Sequence, residues 1–133
     1  MIDTSALVAA LVADHEFHGR VRPRLTSSTA IPAIVLAETY AQLRRTFRQS
    51  ANAAAALLAP WSSRTDLILG AESAVVRTVF ARAAELDLGG NIHDALVAAV
   101  CATNDVGLVT LDRRQHAVAL AFGVDSTLLL PTG

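Results

Sequence analysis

Short β-like apolar runs alternate with helical patterns from one end of the chain to the other. Parallel strands joined by helices satisfy that alternation, so the expected class is α/β with a mostly parallel sheet. Met1-Ile2 begins as a stub strand, and Thr4 or Ser5 can cap a short helix over 4–12. A second helical stretch follows Asp14 until Pro23 limits it. Residues 28–31 read as the second strand, with Pro32 at the first helical position of the next element. That helix is expected to reach about Phe47. Leu36, Tyr40, Leu43 and Phe47 fall on it at the spacing of one apolar stripe, either core or a homodimer face. An Ala-rich helix over 50–61, ended near Pro60, precedes a third strand over 66–69. A long amphipathic helix over 71–88 is expected to close on Gly89-Gly90. From Asn91 to about Asn104 the next helix is apolar nearly all round and therefore buried. A fourth strand over 108–110, a short helix over 113–121 and a fifth strand over 127–130 complete the pattern.

With 133 residues the chain suits one domain, 1–133, large enough for a real core. Hydrophobic residues make up 53% of it, yet Asp14, Glu38, Arg44 and Asp94 interrupt every run that approaches a membrane span. No basic region precedes an apolar segment at the N-terminus, so it does not read as a signal peptide, and a cytoplasmic protein without membrane partners is expected. The single cysteine, Cys101, excludes an internal disulfide and a Cys-based zinc site, and its apolar helix makes it a small core residue. A net charge of -1 argues against a basic nucleic-acid binder as a whole. All eleven basic residues are arginines, and six fall at Arg20, Arg22, Arg24, Arg44, Arg45 and Arg48. Arginine suits bidentate phosphate contacts, although a solvated face explains these six equally well.

Four acids lie on the margins of these apolar elements: Asp3, Glu38, Asp94 and Asp112. Such carboxylates are costly unless a cation or hydrogen bonds compensate them. In a doubly wound sheet of order 3-2-1-4-5 the first and fourth strands are neighbours at the crevice where strand order reverses. Asp3 closes the first and Asp112 follows the fourth, while Asp94 and Glu38 sit on helices that reach the same place. Two carboxylates about 5 Å apart repel by roughly 3 kcal/mol at an effective dielectric near 20. Four sharing a cleft therefore call for a cation, and oxygen-only donors favour Mg²⁺ or Mn²⁺ over zinc. Sites of that kind serve phosphodiester hydrolysis. Taken singly, each acid is explained as well by a helix cap or a surface charge.

The segments Asp3-Thr4-Ser5-Ala6-Leu7, Ala37-Glu38, Ile92-His93-Asp94-Ala95-Leu96-Val97-Ala98-Ala99 and Leu108-Val109-Thr110-Leu111-Asp112-Arg113-Arg114 resemble, in order, the four acidic motifs of PIN-domain ribonucleases. The chain is most similar to the VapC toxins of VapBC toxin–antitoxin pairs. The resemblance implies a three-layer α/β/α fold with a mostly parallel five-stranded sheet. It implies a Mg²⁺- or Mn²⁺-dependent endoribonuclease, usually homodimeric, that acts on RNA and is inhibited by a cognate VapB-type antitoxin. By the same resemblance Asp3, Glu38, Asp94 and Asp112 are the metal ligands and catalytic acids. Asp3 and Asp94 are the favoured direct ligands, and Glu38 and Asp112 act directly or through water. Thr4, Ser5 and Thr110 match hydroxyls that orient those acids or bound water. The family usually has a longer apolar run before its first Asp, whereas only Met1-Ile2 stands here. After Asp112 the family often continues with an acid or an aromatic; Arg113 and Arg114 follow instead and are candidates for gripping RNA phosphate.

The histidines add less. His15 and His18 fit surface polarity on one helix face, and His93 fits a helix-start or dimer-edge role. There is no Gly-rich phosphate loop and no nucleophile elbow. A phosphatase with Asp3 as nucleophile would want an acid where Ser5 stands. The remaining alternative is a weak or inactive module of the same fold that holds RNA or an antitoxin without cutting. Retention of all four acids opposes it, because a surface that only binds phosphate gains by losing them.

Overall fold

The computed structural model describes residues 1–131. At the centre lies the N-terminal pair Met1 and Ile2, buried and extended, with Ile2 bridged in parallel to Val109. The Val109 N–H donates to the Met1 carbonyl at 2.9 Å, and the Asp3 N–H returns to the Val109 carbonyl at 3.2 Å. Strand β1 (Ile31–Pro32) pairs in parallel with β2 (Ile68–Leu69), and β3 (Leu108–Thr110) pairs in parallel with β4 (Ser126–Leu128). Three of the expected neighbour relations are therefore present: second with third, first with fourth, and fourth with fifth. The continuous five-stranded sheet is not. Among the described residues no strand pairing joins the Met1–Ile2 segment to β1. The chain turns into helix at Asp3.

The helices are α1 (Thr4–Leu11), α2 (His18–Val21), α3 (Ala33–Arg45), α4 (Ala51–Ser62), α5 (Ser73–Arg82), α6 (Ile92–Thr103) and α7 (Arg113–Ala121), with a 3-10 turn at Arg22–Arg24 around Pro23. They pack in two groups, α1 with α2 and α3 with α4 beside α1, and α5 and α7 against α6. In α1 Ala6, Leu7, Val8, Ala9 and Ala10 are all buried; in α6 so are Ala95 and the run from Val97 to Cys101. A helix buried on every face belongs in the middle of a fold, and the small alanines let neighbours approach it closely. Cys101 is a free core thiol whose hydrogen points to the Met1 sulfur at 3.7 Å, and burial pushes it up to about 11. No helix among the described residues is long and apolar enough to cross a membrane.

Three local expectations are corrected. The cap of α1 is Asp3, not Thr4 or Ser5. The core face of α3 is Val35, Thr39 and Leu43; Tyr40 is 38% exposed, and of the proposed apolar stripe only Leu43 is buried. Pro60 lies in the last turn of α4, which ends at Ser62, within a residue of the end expected. Regular α5 stops at Arg82, and turns continue to Asp87 rather than to Gly89-Gly90. Asp87 has φ 51, with its N–H on the Ala84 carbonyl and the Leu88 N–H on the Ala83 carbonyl. That paired reversal closes a helix with or without glycine.

Candidate active site

Asp3 leaves the central strand and begins α1, so its carboxylate is set by backbone on both sides. Oδ1 accepts the Ala6 N–H at 2.9 Å as an N-cap. The Ser5 hydroxyl lies 2.8 and 2.9 Å from the two carboxylate oxygens, and the Thr110 hydroxyl donates to Oδ2. The side chain is only 4% exposed. Burial raises its pKa to about 6, with Thr110, Ala6 and Ser5 pulling the other way and the Asp112 charge adding to the rise. The same two hydroxyls hold the chain beyond β3: Ser5 Oγ accepts the Leu111 N–H at 3.0 Å, and Thr110 Oγ1 accepts the Asp112 N–H at 2.9 Å. Thr110 is thus a buried strut behind Asp3, while Ser5 serves both the strut and the cleft.

The other acids arrive from three helices. Glu38 projects from α3 and accepts the Thr4 hydroxyl at 3.1 Å. Asp112 caps α7 by accepting the Arg114 N–H at 2.8 Å. Asp94 stands in the first turn of α6, and its carbonyl accepts the amide of the buried Gln115 at 3.0 Å. Burial, then the charges of Asp112 and Glu38, raise Asp94 to about 6, while Arg114 and His93 partly oppose them. Asp3, Thr4, Ser5, Glu38, Asp94 and Asp112 all line one polar cleft of about 240 Å³. Arg114 is on its wall, and Arg113 is not.

Gln42, Gly90, His93 and Gln115 complete the lining. Two of these were legible by helical spacing, since Gln42 follows Glu38 by one turn on α3 and Gln115 follows Asp112 by one turn on α7. Every donor facing the cleft from the four acids is a hard oxygen, the chemistry that suits Mg²⁺ or Mn²⁺. Among the described residues, no three His, Cys, Asp or Glu side chains are drawn together tightly enough to enclose an ion as they stand. A magnesium ion does not require such a cage, because it keeps several waters and takes one or two carboxylates.

The model of the PIN domain matches residues 1–120. This chain is a PIN domain. Among solved structures, the PIN domain is similar to VapC20 of Mycobacterium tuberculosis, which is described as a sarcin-ricin loop cleaving toxin. The likeness has a TM-score of 0.72 at 20% identity and covers 87% of this chain and 92% of that one. At that identity the match speaks for the fold, the three-layer α/β/α arrangement expected above. No curated protein matches the PIN domain in sequence.

Proposed function

We propose that this PIN domain is an endoribonuclease that hydrolyses RNA phosphodiester bonds with Mg²⁺ or Mn²⁺, and that it serves as the toxin of a type II toxin–antitoxin pair, inhibiting translation in the cytoplasm. The convergence of Asp3, Glu38, Asp94 and Asp112, from four separate stretches of chain, on one polar cleft carries the nuclease reading. The toxin reading rests on the ordered acidic motifs together with the fold shared with VapC20. A homodimer and a cognate VapB-type antitoxin are the partners this reading assigns, with 1–133 acting as one domain.

In this reading Asp3 and Asp94 hold the cation directly, and Glu38 and Asp112 hold it directly or through water. The bound ion supplies polarisation of a water and neutralisation of charge on the phosphate. The chain's own residues prepare the place. Ser5, Thr110 and the Ala6 N–H fix the Asp3 carboxylate in one orientation, so no reorientation is needed when substrate arrives. Thr4 does the same for Glu38. With Asp3 and Asp94 both raised to about 6, their charged forms prevail at neutral pH at a cost in burial and mutual repulsion that a bound cation would offset, and below about pH 6 metal binding would release protons. Arg114, on the wall beside Asp112, offers its guanidinium to RNA phosphate.

The deciding experiment is cleavage-site mapping on total RNA with Mg²⁺ or Mn²⁺, repeated with a chelator and with an Asp3→Asn variant. Discrete cuts that need both metal and Asp3 are expected. RNA binding without metal-dependent cuts would leave only a binding module of this fold.

A further inference from the structure

We infer that a second hollow, beside the acidic cleft, is a subsite for one unpaired nucleobase of the RNA, with Phe47 as its stacking platform. The inference deepens the ribonuclease reading and rests on it for the identity of the ligand. The hollow has about 300 Å³, the lower end of the range for small-molecule sites. Ser5 and Gln42 line both it and the acidic cleft, so the two are adjacent, and a strand whose phosphate lies at the carboxylates can place a neighbouring base here.

Its walls suit a base. Phe17, Phe47, Leu111 and Leu130 are among them, with His15 and Glu16 at the polar side. Phe17 packs against the core, whereas Phe47 is half-buried without being part of that packing. An aromatic face left beside a polar cleft is the platform on which bases of any sequence stack. His15 Nδ1 accepts the Phe17 N–H at 3.2 Å, so a neutral His15 carries its proton on Nε2 as a donor. Glu16 supplies acceptors for the amino or imino hydrogens of a base edge. Exposed Arg44, Arg45 and Arg48 flank Phe47 in sequence, at the end of α3 and just beyond it, and offer positive charge to the backbone of such a strand. Charge and adjacency to the acidic cleft together favour RNA over an apolar protein segment.

The test uses a short single-stranded oligoribonucleotide spanning a mapped cut, and a set of copies with one abasic position each. Binding is measured by fluorescence anisotropy in chelator, and cleavage is measured separately with Mg²⁺. Wild-type protein is expected to lose about tenfold in affinity for one abasic copy, next to the cut. Phe47→Ala is expected to bind the intact strand about tenfold more weakly and to be indifferent to that abasic position, and Phe47→Trp to restore both behaviours. Unchanged affinity in Phe47→Ala, or equal losses at every abasic position, overturns the subsite. So does a Phe47→Ala protein that binds RNA normally but sediments as a smaller species, which would assign this face to a second copy of the chain. Base-specific binding that depends on Phe47, without any cleavage, keeps the subsite and refutes the nuclease. Metal-dependent cleavage that ignores Phe47 does the reverse.

Discussion

The two ends of the central strands both carry aspartates and both carry a hollow, and the larger hollow is at the end without the motifs. Near the turns before β3 and β4, Asp105, Gly107 and Asp125 help line a space of about 440 Å³, against about 240 Å³ at the acidic cleft. Yet Asp105 and Asp125 are exposed, whereas Asp3 is buried and held by three partners. Asp105 closes α6 with φ 52, and the Asp125 carbonyl accepts the Leu108 N–H at 2.8 Å. Acids at that end serve chain reversal, where water solvates them freely. At the other end, Asp3 is buried and Glu38 and Asp94 are half-buried beside the exposed Asp112, so charges share one cleft at a cost that a fold retains only where something compensates it. Burial and mutual charge, rather than volume, separate the two ends.

The strongest way to break this contrast is to neutralise one acid at each end. Asp94→Asn is expected to lower metal-dependent RNA cleavage by on the order of 10²-fold or more, as loss of a group that stabilises reacting charge does. Asp125→Asn is expected to cleave like wild type, with stability within about 0.5 kcal/mol of it. Paired initial-rate and thermal-melt measurements check both, and equal rates for the two variants would end the assignment of the cleft.

The contrast also has a pH signature. Asp3 is raised from 3.8 to about 6 in the folded chain, chiefly by burial. Between those values the native state binds the proton and the unfolded state does not, so stability falls as pH rises. Below about pH 4 both states are protonated and the fold carries no penalty; above about pH 6 it carries about 3 kcal/mol. Asp94 is raised to about 6 as well, but it is only half-buried and adds less. In chelator, melting temperature is expected to rise as pH falls from 7.5 to about 5. Added Mg²⁺ at pH 7.5 is expected to raise it too, by binding the native state. A melt that responds to neither would show that the buried carboxylates carry no such strain.

How much of this contrast was legible in the sequence depends on what each residue answers to. The helices and short strands were readable because apolar periodicity is a local property, and β3 and α7 fall where the pattern puts them. Helix ends were not, because three of the reversals use Arg48, Asp87 and Asp105 in the left-handed region instead of glycine. A reader who waits for Gly89-Gly90 runs α5 six residues too far. The stripe on α3 failed for another reason: two helix faces are apolar, and only packing decides that Val35 and Thr39 go inward while Phe47 is left beside a cleft. Of the site, the four acids and the hydroxyls Thr4, Ser5 and Thr110 could be named from motif order. Which of Arg113 and Arg114 faces the cleft could not, since adjacent helical residues point about 100° apart and the start of α7 sets the phase.

The end without motifs predicts a smaller and purely structural effect. A Cβ on Gly107 would stand 2.9 Å from the Asp125 carbonyl oxygen, the same oxygen that accepts the Leu108 N–H. Backbone, not a movable side chain, has to give way. Gly107→Ala is therefore expected to cost about 1–3 kcal/mol of stability, as other overpacked sites do, with cleavage per folded molecule unchanged. A loss of specific activity at full folding would mean that the two ends are coupled through β3.

The finest contrast lies within a single pair of residues. Both are exposed, but Arg114 donates its backbone N–H to Asp112 and lines the cleft, while Arg113 does not line it. If both arginines merely add positive charge to the surface, their alanine variants weaken RNA binding alike. If Arg114 meets a phosphate held at the cleft, Arg114→Ala lowers affinity several-fold and reduces the slope of log affinity against log salt by about one, while Arg113→Ala leaves that slope alone. The salt series distinguishes these cases without any cleavage assay, because released counterions count phosphate contacts directly. A slope reduced equally by both variants would make the charge of α7, rather than the aim of one side chain, the feature that holds the strand.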